Sequence, residues 1–277
     1  MNCQHPLITT QQLQAIFDNE NLVLLDATID KIDASLKDEK LELIPHSLFF
    51  DTENRASETS SPLPHTLTSV ENFSNYIAEL GIHKDSIIVV YDRWGVYSSP
   101  RAWWTFKVFG FENVFVLDGG LPAWKGNQLP VVDAYIETKK TTPITVQLNK
   151  EWIATADNVL QVLEDENVRI VDARSPARFR GKQAEPRPGI RSGHIPNAYN
   201  VFFEDILDEN FLQSPQKINL IFKAIGDPEN DYIFSCGSGI TASILALAAY
   251  SIGYHSVKVY DGSWSEWGAN PDLPIEC

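Results

Sequence analysis

The chain has 277 residues, of which 43% are hydrophobic and 21% charged, as expected for a globular protein of about two domains. Its net charge of −15 argues against a general nucleic-acid binder and against attraction to anionic lipid, since both need a basic surface. No apolar run approaches the length needed to span a bilayer.

The N-terminus, Met1-Asn2-Cys3-Gln4-His5-Pro6, lacks the basic region and apolar core of a signal peptide. Leu22-Val23-Leu24-Leu25 then reads as a strand closed by Asp26, and Ile44-Pro45-His46-Ser47 and Phe49-Phe50 follow. Ser86 to Tyr91 predicts a strand, Arg101 to Phe109 a helix and Val114 to Leu117 another strand. Asp118-Gly119-Gly120 is a turn signal, with Trp124 and Leu129-Pro130 beyond it. From Pro130 to Pro143 no helical or strand periodicity is visible. Strand-like and helical stretches then resume: Val168 to Asp172, Tyr232 to Ser235, and the helix-like Thr241 to Ile252.

The second half repeats the first in order. Leu22 to Thr28 returns as Val168 to Arg174, and Ile44-Pro45 as Ile195-Pro196. Phe49-Phe50 returns as Phe202-Phe203, and Val116 to Gly120 as Val259 to Ser263. Trp124 returns as Trp267, and Leu129-Pro130 as Leu273-Pro274. Two copies are a duplicated domain, not a solenoid. The boundaries expected are 1–130, a linker at 131–147, and 148–277. The alternation of strand and helix predicts an α/β fold, each half a mainly parallel sheet flanked by helices. In such sheets ligands bind beyond the carboxyl ends of the strands.

Cys236-Gly237-Ser238-Gly239-Ile240-Thr241-Ala242 stands at such an end, between a strand and a helix. Two glycines let the backbone turn tightly with N–H groups inward, and a helix N-terminus follows. That cradle favours a nucleophilic thiolate; a buried structural cysteine is the alternative. Aligning Ile87-Ile88-Val89-Val90-Tyr91 with the second strand puts Asp92 opposite Cys236, so only the second half carries a thiol there. The other cysteines, Cys3 and Cys277, sit at the termini, and the three form neither a disulfide framework nor a metal pattern. A reducing cytoplasm is the expected compartment. Each half has also lengthened a different loop: 178–187 in the second, 58–65 in the first. Loops that grow on a fixed scaffold collect function.

The chain resembles the rhodanese superfamily of two-domain sulfurtransferases over nearly its whole length. The resemblance rests on the doubled Leu-Leu-Asp-Ala and Ile-Val-Asp-Ala strands, Gly193-His194-Ile195-Pro196, the Cys236 loop, the paired Asp-Gly turns, the tryptophan after each, and a cysteine in the second half only. The loop Cys-Gly-Ser-Gly-Ile-Thr is similar to the mercaptopyruvate branch. Thiosulfate-using relatives carry a basic loop of the Cys-Arg-Lys-Gly type. The resemblance implies sulfur transfer from a small-molecule donor, 3-mercaptopyruvate, through a Cys236 persulfide to cyanide, thioredoxin or another small thiol, with pyruvate released and no metal or organic cofactor. It further implies Arg178 and Arg187 as substrate arginines, with the loop from Gly237 through Gly239, Ile240 and Thr241 lining the substrate. Guanidinium suits a planar carboxylate; a solvated basic loop is the alternative. Glu53 and His65 match an acidic residue and a histidine that the family places near the active loop. With Ser238 they make a Ser-His-Glu relay; Asp51 is the alternative acid one register away, and a surface histidine the alternative reading of His65. Such a relay moves a proton to departing pyruvate enolate or from the incoming thiol.

A Cys-based phosphatase also uses a strand-loop-helix cradle, but needs an arginine where this chain has Ala242. A papain-type protease pairs its cysteine with a distant His and Asn, against which the doubled pattern argues. Thiosulfate as donor stays open, as does a sulfur-relay or redox-sensing module that turns over nothing; turnover of mercaptopyruvate separates that module from an enzyme.

Overall fold

In the computed structural model, residues 5–138 and 140–277 are described; Cys3 lies outside them. The chain forms two compact units. The first comprises 1–58, 68–148 and 209–212; the second comprises 59–67, 149–208 and 213–277. Each unit thus takes a short segment from the opposite half of the sequence.

In the first unit, β1 (Leu7–Ile8), β2 (Leu22–Asp26), β3 (Ser47–Phe49), β4 (Ile87–Tyr91) and β5 (Val114–Leu117) make one sheet, ordered β1-β5-β4-β2-β3. All of its registered pairs are parallel. Parallel pairing needs crossover connections, and α1 (Thr10–Ala15), α2 (Val70–Glu79), α3 (Ser99–Val108) and α4 (Gly120–Gly126) occur in them or beyond the last strand. Leu24, Val89 and Phe115 from adjacent strands pack with Ile8, Leu13 and Trp124.

The second unit repeats this order. Its strands are β6 (Ile153–Ala154), β7 (Val168–Asp172), β8 (Tyr199–Asn200), the short β9 (Leu207–Asp208), β11 (Asp231–Ser235) and β12 (Val257–Tyr260); β10 (Phe211–Leu212) belongs to the first unit. The main sheet runs β6-β12-β11-β7-β8, again parallel throughout. Its helices are α5 (Ala156–Gln161), α6 (Pro176–Phe179), α7 (Pro215–Lys223), α8 (Ile240–Ser251) and α9 (Ser263–Trp267). The apolar α8 is buried on nearly every face, as a central helix must be.

The repeated motifs acquire structural reasons. The indole N–H of Trp124 donates to the Pro130 carbonyl at 2.8 Å, and that of Trp267 to the Pro274 carbonyl at 2.7 Å. A buried indole needs such a partner, which couples each tryptophan to its following Leu-Pro. His46 and Asn197, after each Ile-Pro, both take left-handed backbone at φ 67° and 60°. The aspartates of the Asp-Gly turns hold the exchanged segments: Asp118 accepts the Leu212 N–H at 3.1 Å, and Asp261 accepts the Leu67 N–H at 2.9 Å.

Candidate active site

Strand β11 ends at Ser235, and Cys236 begins the turn into α8. The thiol is buried at 2% exposure. Its Sγ accepts the Gly239 N–H at 3.1 Å. Gly239 has φ 86°, a left-handed conformation that suits glycine and costs an L-residue strain. It caps α8, whose first-turn N–H groups lack partners within the helix and face the same end of the strand. Ile240 and Thr241 open that helix, Ile240 buried and Thr241 half-buried.

Two serines of α9, the helix after β12, fix the loop; nothing in the sequence pattern gave them a role. The Cys236 N–H donates to Ser263 Oγ at 3.3 Å, and Ser263 Oγ donates to the Tyr260 carbonyl at 2.8 Å. Ser263 holds φ 49°, where Gly120 of the first unit has φ 51°. A strained non-glycine kept at that spot is consistent with its hydroxyl being used. Ser265 grips Gly237: its N–H and its Oγ both reach the Gly237 carbonyl, at 3.0 and 2.6 Å.

Two arginines lie close to Gly237. A Cβ there would lie 3.2 Å from Arg178 Nη2 and 3.9 Å from Arg187 Nη1, so both arginines expected from the sequence converge on the cysteine loop. Their surroundings differ. Arg178 is bound to Glu185, with Nε at 3.2 Å and Nη2 at 2.5 Å from its carboxylate. Arg187 makes one long contact, 3.5 Å from Nη1 to Ser265 Oγ. Arg180 stands exposed at the end of α6.

Behind Arg178 runs a buried ionic chain. Arg174 meets Asp172 at 2.6 Å and Glu185 at 2.8 Å, and its guanidinium lies 4.4 Å from the centre of the Trp264 ring. Burial opposes its charge, yet the two carboxylates hold its pKa above the ordinary arginine value. Gly193-His194 braces the same loop: Arg174 Nη2 donates to the Gly193 carbonyl at 2.8 Å, and the His194 ring stacks on Phe179 at 3.8 Å, next to Arg178. Glu185 was visible in the sequence only as part of Glu-Pro-Arg; its contact with two arginines depends on the fold.

His65 belongs to the second unit through the 59–67 segment, and its Nδ1 lies 3.0 Å from Ser238 Oγ. Ser238 is buried at 7% exposure. His65 sits at φ 61°, and Asp261 pins the segment two residues on. Glu53 belongs to the first unit, exposed on the turn after β3. Asp51 is turned inward on its own loop, its carboxylate accepting from the Asn54 backbone and side chain at 2.9–3.2 Å. Cys277 is exposed. Among the described residues no three His, Cys, Asp or Glu side chains group as metal ligands, and no helix is long and apolar enough to cross a membrane.

Such a site can hold a small anion against a buried nucleophilic sulfur, with a hydroxyl and an imidazole alongside. A rhodanese-like domain model matches residues 9–127 and 155–270, and the chain belongs to that family as a two-domain member. It is 40% identical over 234 residues to the 3-mercaptopyruvate sulfurtransferase of Escherichia coli K12, covering 84% of this chain and 83% of that one. It is 35% identical over 301 residues to the mitochondrial thiosulfate/3-mercaptopyruvate sulfurtransferase 1 of Arabidopsis thaliana, covering 100% and 79%. Among solved structures, SseA of Escherichia coli, a 3-mercaptopyruvate sulfotransferase, superposes with TM-score 0.83 at 33% identity over 94% of this chain and 99% of that one.

Proposed function

We propose that the protein is a 3-mercaptopyruvate sulfurtransferase that works through a persulfide on Cys236. The observation that carries this reading is the pair of guanidinium groups 3.2 and 3.9 Å from the Cβ position of Gly237, beside a buried thiol. A carboxylate held there presents its neighbouring carbons to the sulfur. The names of the relatives support the same reaction.

The Cys236 thiolate attacks the sulfur of mercaptopyruvate. A sulfur–sulfur bond forms and the substrate's carbon–sulfur bond breaks, its electron pair passing to carbon as the enolate of pyruvate. Arg178 and Arg187 take the carboxylate, while N–H groups from Gly237 to Thr241 face the developing charge. A proton reaches the enolate through Ser238 and His65, which are already within hydrogen-bond distance. Glu53 is kept as the acidic residue of this relay on the strength of the family motif. An incoming thiol, thioredoxin or a small thiol, or cyanide then takes the outer sulfur and restores the thiolate. A cytoplasmic setting is proposed with it.

The test is paired. Donor alone should add the mass of one sulfur to the protein at Cys236, and donor with acceptor should release pyruvate catalytically. A persulfide without pyruvate turnover would favour a sulfur-relay module instead.

A further inference from the structure

We infer that the first unit carries its own binding pocket for a small monocarboxylate, at the carboxyl end of its sheet and separate from Cys236. A cavity of about 300 Å³ lies there, walled by Arg93, Leu36, Leu121 and Pro122. Its position follows from the duplication. Arg93 comes directly after Asp92, as Gly237 comes after Cys236, and Leu121 and Pro122 stand where the second unit has Trp264 and Ser265. In the second unit two arginines reach that place from an enlarged loop. In the first unit the strand-end loop supplies the cation itself.

Arg93 is equipped to take an anion. Its backbone is fixed, the N–H donating to Thr28 Oγ1 at 2.9 Å. Its Nε is buried without a hydrogen-bond partner and faces the Asp26 carboxylate at 3.6 Å. A guanidinium carries five donors, so a ligand in the pocket would be met by the outer Nη groups. Lys40 adds a second positive charge to the wall, while Lys125 is neutralised by its ion pair with Glu42. Glu39 stands on the same wall, which disfavours a ligand of higher negative charge. Leu36, Leu121 and Pro122 offer an apolar surface to a short carbon body. The cavity lies at the small end of ligand sites. A single carboxylate on two to four carbons, 2-oxo acids included, meets these terms.

The experiment uses the full-length protein with pyruvate as probe, followed by calorimetry and saturation-transfer NMR. Arg187→Ala supplies the background, so that binding beside Cys236 is weakened. Saturable one-to-one binding is expected there, weakened at least about tenfold by adding Arg93→Gln and severalfold by adding Lys40→Glu. Lys40 is exposed, so its variant tests the pocket even if loss of Arg93 disturbs Asp26. No saturable binding in the Arg187→Ala background, or binding that neither added substitution changes, would overturn the inference. Sulfur transfer by the otherwise wild-type protein is read separately, so failure of the proposed reaction and failure of this pocket give different results.

Discussion

Arg187 is expected to carry more of the substrate binding than Arg178, although both stand in the same enlarged loop. Arg178 already spends Nε and Nη2 on Glu185. Arg187 spends one donor, at 3.5 Å, on Ser265, and keeps the rest of its planar fork for a ligand. Replacing Arg187 by Ala removes a charge-assisted contact worth about 1.5–3 kcal/mol, which corresponds to roughly ten- to a hundredfold in kcat/KM. Lysine should restore only part, because a point charge does not match a carboxylate with two prongs. Arg178→Ala should behave differently. It strips one of two partners from Glu185, whose side chain is 4% exposed, so stability falls as well, by about 1–3 kcal/mol. The assay is steady-state pyruvate release with mercaptopyruvate at fixed acceptor, run beside thermal unfolding of each variant. The reasoning fails if Arg187→Ala keeps kcat/KM within about threefold of wild type, or if Arg178→Ala loses the larger share with an unchanged melting temperature.

Cys236→Ser should abolish turnover and persulfide formation, while Cys277→Ser leaves both intact; mass spectrometry after donor treatment would expose a misassignment as sulfur on Cys277. Asp92→Ala should destabilise the protein by about 3 kcal/mol or more, since it orphans several buried donors at once, and urea unfolding with specific activity per folded molecule would separate that loss from catalysis. Mercaptopyruvate should be preferred over thiosulfate by at least about tenfold in kcat/KM, roughly 1.4 kcal/mol, because residues 237 and 238 of the loop are uncharged; equal values for the two donors would remove that argument. The double exchange Gly237→Arg with Ser238→Lys, which from the sequence alone looks like a route to thiosulfate use, should instead lower activity with both donors, since a side chain at 237 begins 3.2 Å from Arg178.

The doubled fold and the strand-to-helix turn that carries Cys236 were legible in the sequence because they rest on local patterns. Apolar runs such as Leu22–Leu25 and Tyr232–Phe234 became parallel strands. Glycines flanking Cys236 marked a turn, and the helix after them begins at Ile240, one residue before the Thr241 read from the sequence. What stayed hidden depends on contacts between residues far apart in the chain. Ser263 and Ser265 reach the Cys236 loop from α9, beyond the next strand, and no periodicity encodes that. Glu185 looked like one acidic residue in a basic loop, yet it lies between Arg174 and Arg178. The Asp-Gly turns were legible as turns. Their aspartates' hold on Leu67 and Leu212 was not, because each partner comes from the opposite half of the sequence.

Comparing the two units gives a physical reason to expect chemistry at one strand end and not at the other. Both place an anion-seeking turn where the central strand meets a helix. In the first unit, Asp92 fills it permanently: Oδ2 accepts the N–H groups of Tyr97, Ser98 and Ser99 at 2.8–2.9 Å and the Ser99 hydroxyl at 2.7 Å, and Oδ1 accepts the Trp94 N–H at 3.0 Å. A carboxylate so held is a structural counter-ion to a helix N-terminus. In the second unit the loop is shorter, and the atom in that place is a sulfur that accepts one N–H at 3.1 Å. Stabilisation that the first unit uses up in the folded state remains available in the second for charge that arises during a reaction, the condition under which it accelerates chemistry. Asp92 therefore marks the cradle's native preference for an anion, and in the proposed reaction Cys236 puts that preference to use by supplying an atom that gains and loses a second sulfur.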